Sequence, residues 1–205
     1  MNLKAVAIAA IGATLLLAAP STPPTPLGWV LEGDSATHEY YYQSAVSYTG
    51  QPSLTLKAKS ATSDQMAFLE QTMDASRYRG KRIRLSGVSK ANSVTKARLS
   101  ILISDFTEGL LADRANQLPY SGTHDWTPFS IVIDVAEQAE TIWVTVELQS
   151  GQLWVDQLVI ESVTQDMALT PYRTYTQQTS TSSDSAGAAP NVLFAEKPVD
   201  IDVRL

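Results

Sequence analysis

Apolar residues recur at every second position through one short segment after another. That period of two constrains the fold more than any other feature of this chain. Ser53–Lys59 sets Leu54, Leu56 and Ala58 on one side, and Lys81–Val88 does the same with Ile83 and Leu85. Lys96–Ser104 alternates Ala97, Leu99, Ile101 and Ile103 against polar neighbours. Phe129, Ile131, Ile133 and Val135 share a face of Trp126–Val135, and Ile142, Val144, Val146 and Leu148 share a face of Thr141–Gln149. Gln152–Val163 closes the series, with Thr37–Gln43 and Gln65–Met73 as further strands. Successive side chains of a strand point to opposite faces, so each segment offers one apolar face to a core. Helical spacing is almost absent. Eight or nine such strands, separated by turn residues, predict an all-β chain folded as an antiparallel β-sandwich or jelly roll.

The alternation holds only within residues 27–163, and the flanks differ in kind. Near the N-terminus one basic residue, Lys4, precedes an apolar run from Ala5 to Ala19. This is the layout of a secretory signal peptide, shorter than the ~20 residues that span a bilayer. Residues 1–21 are expected to be that signal, cleaved before Thr22, and residues 22–26 a stiff Pro-rich spacer. Residues 164–205 are expected to be a low-complexity linker and tail. Within them Gln177–Pro190 is small and polar, as disordered linkers are, and Asn191–Leu205 regains apolar character. A periplasmic or extracellular location follows, with no membrane contact beyond the signal segment.

Composition removes whole classes of function. The chain has no cysteine and only two histidines, His38 and His124, so thiol chemistry and Cys- or His-rich metal centres are excluded. With 15 basic against 21 acidic residues, and no basic cluster outside the Arg77–Arg84 turn, nucleic acid is not an expected partner. No Gly-x-Ser-x-Gly elbow or phosphate-binding loop occurs. A hydrolase is the least favoured reading.

Several stretches in series resemble a known family. Pro26-Leu27-Gly28-Trp29 opens the domain, and Tyr48-Thr49-Gly50-Gln51-Pro52-Ser53-Leu54 leads into a strand. Tyr78-Arg79-Gly80-Lys81-Arg82-Ile83-Arg84-Leu85-Ser86-Gly87 begins the next long strand. Asp125-Trp126-Thr127-Pro128-Phe129 and Gly151-Gln152-Leu153-Trp154-Val155-Asp156-Gln157-Leu158 complete the set. Together they resemble the galactose-binding-like jelly rolls, the fold of many carbohydrate-binding modules. Within that group they are similar to a bacterial domain found alone or appended to regulators and peptidases. The resemblance implies a non-catalytic binding module of the cell envelope, with carbohydrate as the ligand class. A domain that docks a cell-envelope protein through an exposed sheet face is the alternative. Such modules often open with an Asn-x-x-Phe-Glu segment that helps hold calcium, but here Thr22–Pro26 stands in that place. No cofactor is therefore expected. Asp156 is read as a structural hydrogen-bonding acid, and Asp156 with Glu32 is the pair left for a structural calcium.

Within this frame the ligand-binding candidates are Trp143, Thr145, Glu147 and Arg98, with Tyr40 and Tyr42. Trp143 falls on the polar side of its strand beside Thr145 and Glu147, where a large aromatic ring needs an explanation. Arg98, Ser100 and Leu102 face outward in theirs. In the run Tyr40-Tyr41-Tyr42 adjacent rings point to opposite faces, so Tyr41 or its neighbours must serve packing. Trp126 and Trp154 are expected to be mostly buried.

Overall fold

The computed structural model describes residues 27–107, 109–115 and 121–171. The expected signal, the spacer and the tail from residue 172 lie outside the described residues. Ten strands follow in order: β1 Trp29–Glu32, β2 His38–Gln43, β3 Ser53–Ala58, β4 Ala67–Asp74 and β5 Arg82–Val94. After them come β6 Ala97–Asp105, β7 Gly109–Ala115, β8 Gly122–Asp134, β9 Thr141–Leu148 and β10 Gln152–Val163. They form two five-stranded sheets, ordered β1-β4-β9-β6-β7 and β2-β3-β10-β5-β8, and every pairing is antiparallel. This is the antiparallel sandwich that the alternation predicts, in the jelly-roll form that the resemblance implies.

The apolar faces read from the sequence meet between the sheets. Leu54, Leu56, Ile83, Leu85, Leu99, Ile101, Ile103, Ile131, Ile133, Ile142, Val144, Val146 and Leu148 are all buried there. Burying each such side chain stabilises the fold by about 1.5–3 kcal/mol relative to leaving it in water. Strand β7 is absent from the sequence reading because Leu110 and Leu111 stand side by side and break the alternation. Strand β10 changes parity midway. Leu153 and Val155 point inward, the pairing with β5 shifts between Asp156 and Val159, and Leu158 and Ile160 then take the inward positions. Gln157, at φ 54°, absorbs the extra residue as a β-bulge.

Trp154 is buried, as expected, but not between the sheets. It pairs with Thr55 and Lys90, residues whose side chains share the outer face of the second sheet. Trp126 is half-buried.

Strand β8 is one edge of the second sheet, and Pro128 is accommodated there. Val132 turns its N–H and C=O away from β5 and bonds Thr170 instead, through Val132 N–H to Thr170 Oγ1 (2.8 Å) and Thr170 N–H to Val132 O (3.0 Å). Pro128, four residues earlier, has the same orientation, so its missing N–H costs no ladder bond. The backbone beyond Val163 is thus drawn against the sheet. Arg82 secures it, donating to the carbonyls of Gln165 (2.6 Å) and Met167 (2.7 Å) while also pairing with Asp134.

Candidate functional site

Strand alternation and register assemble a continuous outer face on the first sheet. Cross-strand partners put Glu32, Phe68, Glu147 and Arg98 in one row. Val30, Glu70, Thr145, Ser100 and Ala115 make the next. Thr72, Trp143, Leu102 and Asp113 make a third, and Thr141, Ser104 and Leu110 a fourth. Four of the predicted residues, Trp143, Thr145, Glu147 and Arg98, therefore stand together. Phe68, Glu70, Ser100, Leu102 and Asp113 join them. The alternation of Gln65–Met73 already carried the signal for Phe68 and Glu70, whereas Asp113 lies on the strand that alternation does not reveal.

The polar groups here hold one another in place. Arg98 lies between two acids, with Nε 3.0 Å from Glu147 Oε1 and Nη2 3.1 Å from Asp113 Oδ2. Ser100 donates to Glu147 at 3.4 Å, and Trp143 donates from Nε1 to Ser104 Oγ at 3.0 Å. Ser100 and Thr145 are buried although they lie on the outer side of the sheet. Burial pushes the Glu147 carboxyl above its ordinary value; the Arg98 guanidinium opposes this and Asp113 adds to it. Burial also raises Glu70, with the charges of Glu32 and Glu147 adding and the Thr145 hydroxyl opposing. At the β6–β7 end Leu110 is exposed on this face, and Phe106 is exposed in the turn between the two strands.

Tyr40 and Tyr42 are not part of this face. On β2 they oppose Leu56 and Leu54 and pack against the core, with Tyr40 Oη 3.4 Å from the Trp29 carbonyl and the Tyr42 phenol raised by burial. Tyr40 and Tyr42, expected among the ligand-binding residues, thus turn inward; Tyr41 is the outward ring, and its Oη accepts from Gln152 Nε2 at 3.4 Å.

Asp156 and Glu32 are on different sheets and cannot hold one ion together. Asp156 is buried and accepts from the backbone N–H of Tyr48 (2.9 Å) and of Gln157 (2.8 Å). Those bonds fix the β2–β3 loop and the bulge of β10. Among the described residues no group of three or more His, Asp or Glu side chains is arranged to hold a metal ion. His38 is buried, bonded to Thr37 Oγ1 and to the Gln149 carbonyl, whereas His124 bonds the carbonyl of its neighbour Asp125.

A second set of aromatic rings lies on the outer side of the other sheet. Tyr41, Thr55, Trp154 and Lys90 are aligned across β2, β3, β10 and β5. The Tyr48 ring meets that of Trp126 at 5.8 Å with a 60° tilt. The buried indole Nε1–H of Trp154 makes no hydrogen bond among the described residues. An unpaired buried donor of this kind costs roughly 1–3 kcal/mol.

No model of a known protein family matches the chain. It is 31% identical over 151 residues to the "Uncharacterized HTH-type transcriptional regulator YbfP" of Bacillus subtilis, a match that covers 70% of this chain and 50% of the regulator. The chain thus spans about half the length of that curated relative. Among solved structures, the family 30 carbohydrate-binding module of a cellulosomal cellulase from Clostridium thermocellum superposes with a TM-score of 0.51 at 15% identity. That match covers 69% of this chain and 95% of the module. The enzymatically active domain of tailspike protein 4 from bacteriophage CBA120 gives 0.55 at 16% identity, covering 67% of this chain and 20% of the tailspike chain. A Clostridium thermocellum xylanase 10B structure with CBM22-1 and GH10 modules gives 0.50 at 17% identity, covering 65% and 26%. The described domain is a jelly-roll β-sandwich of the kind that carbohydrate-binding modules adopt.

Proposed function

We propose that this domain is a non-catalytic binding module that holds a carbohydrate on the outer face of the first sheet. The observation that carries this reading is the fixed setting of Trp143. Its ring stands on the same sheet face as the ion-paired Arg98, Glu147 and Asp113, with its own N–H tied to Ser104. A flat ring offers its face to sugar C–H groups, and side chains already locked in place can bond hydroxyls without first losing rotamer freedom. Support also comes from the fold, which is shared with carbohydrate-binding modules, one of them in a structure complexed with xylohexaose. The apolar segment Ala5–Ala19 supports an exported setting, periplasmic or extracellular.

A glycan array probed with the full chain tests the proposal. Trp143→Ala is expected to weaken binding to the glycans found by at least about tenfold, which is worth about 1.4 kcal/mol. Binding unchanged by Trp143→Ala, or no glycan bound at all, defeats the reading. A second reading, a face that docks a cell-envelope protein, is favoured by the exposed Leu110 at the end of the same face and the exposed Phe106 in the adjoining turn. Partner capture that is lost with Phe106→Ser and kept with Trp143→Ala would favour it.

A further inference from the structure

The outer face of the second sheet carries an exposed ring on a firmly held loop. Tyr48 sits in the β2–β3 loop and is 53% exposed, yet the chain spends a buried carboxylate on holding it. Asp156 accepts the Tyr48 N–H. The loop is braced further by Ser47 Oγ, which donates to the Gln51 carbonyl and accepts from Gly50 N–H, and by Ser53 Oγ, which donates to the Val46 carbonyl. Core packing gains little from fixing a ring that remains half in water. A ligand gains much, because a ring fixed in advance loses no freedom on binding.

Tyr48 leans on Trp126, and the row Tyr41, Trp154 and Lys90 runs across the same face. Beside these rings stand amides and hydroxyls: Gln152 bonded to Tyr41 and Gln43 bonded to Thr55. The charges of this face come in one-to-one pairs. Lys57 meets Glu39, Lys90 meets Asp125, Arg84 meets Glu161 and Arg82 meets Asp134. The first sheet differs, with Arg98 shared by two acids and Glu70 and Glu32 close by.

We infer that this face is a second ligand site, built around Tyr48 and Trp126, and that it takes a neutral oligosaccharide. The exposed Tyr48 ring, with the half-buried Trp126 ring beside it, suits the apolar face of a sugar ring. The exposed charges are paired within the face and the Asp156 carboxylate is buried on two backbone N–H groups, so an ionised ligand finds no free opposite charge, while the amides and hydroxyls can bond an uncharged polyol. The site is separate from the Trp143 face, because the two sheets turn their outer sides in opposite directions. Either site can fail without the other.

The chain's four tryptophans make the test direct. Each indole N–H gives its own signal in a proton–nitrogen correlation spectrum of the labelled full chain. Trp29 reports the core, Trp143 the first sheet face, and Trp126 and Trp154 the second. The chain is titrated to millimolar concentration with cellohexaose, xylohexaose and mannohexaose in turn, and with an oligogalacturonide as the charged comparison. The proposal expects a neutral sugar to shift the Trp126 and Trp154 signals, in wild type and in Trp143→Ala alike. Tyr48→Ala is expected to weaken that response about tenfold or more, with the Trp29 signal in place to show an intact core. Three results would overturn it: unmoved Trp126 and Trp154 signals with all three neutral sugars, a response only to the oligogalacturonide, or a response that disappears in Trp143→Ala. Movement of Trp143 alone would leave the first-sheet reading standing and remove this one.

Discussion

Asp156 and Trp154 are near neighbours on β10, and both lie buried on the solvent side of their sheet. The Asp156 carboxylate serves two backbone N–H groups that nothing else among the described contacts would satisfy in its place. Bonds to a charged acceptor are worth about 1.5–3 kcal/mol each, so Asp156→Ala should destabilise the domain by roughly 2–4 kcal/mol in urea unfolding. Asp156→Asn keeps one acceptor and should cost less. Trp154→Ala should cost about 3 kcal/mol in the same measurement, the lower end for large aromatic truncations, because the site borders solvent and can relax. A loss under 1 kcal/mol would place the ring in water. At this scale the sequence identified Trp154 and Asp156 as buried or bonding residues. It could not say which side of the sheet they occupy, because a bulge one residue later resets the parity of the strand.

At the scale of elements, β4 and β9 bring Glu70 and Glu147 onto adjacent strands of one face, and burial raises both carboxyls. A carboxyl with a raised folded pKa binds its proton more tightly in the folded state. Its favourable contribution is full below the unfolded pKa and is lost as pH rises through the folded value. The melting temperature should therefore be eroded by these two groups as pH rises from the ordinary carboxylate range towards neutrality. In Glu70→Gln that part of the slope should shrink, and a thermal melt at pH 5 and at pH 7 measures it. Asp134 works in the other direction. Its bonds to the Arg82 guanidinium hold its carboxyl below the ordinary value, so its contribution is present above the unfolded pKa and lost as pH falls through the folded one. Membership of these elements in the sheets was legible wherever alternation is clean, as in β3, β6 and β9. It was not legible in β7, where two adjacent leucines carry no period. In β2 the period was visible but its phase was not: three tyrosines in a row suit either face, and pairing with Leu54 and Leu56 turns Tyr40 and Tyr42 inward.

For the whole molecule, Arg82 joins three parts, the start of β5, the end of β8 through Asp134, and the backbone that follows β10. Arg82→Met keeps much of the apolar stem and removes the bonds. The expected result is faster hydrogen exchange at the Val132 amide, by about tenfold or more, with core amides such as Ile83 unchanged. The all-β sandwich class, the apolar residues of its core and the outward direction of Trp143, Glu147 and Arg98 follow from the sequence alone, because a strand's period of two is a local property. Which outward residues meet is another matter. Glu70 and Asp113 reach Glu147 and Arg98 from β4 and β7 only through the order β4-β9-β6-β7, and Tyr48 meets Trp126 from a loop that Asp156 on β10 helps to hold. Those contacts join residues far apart along the chain, and local periodicity contains no information about strand order or about how far each strand slides against the next.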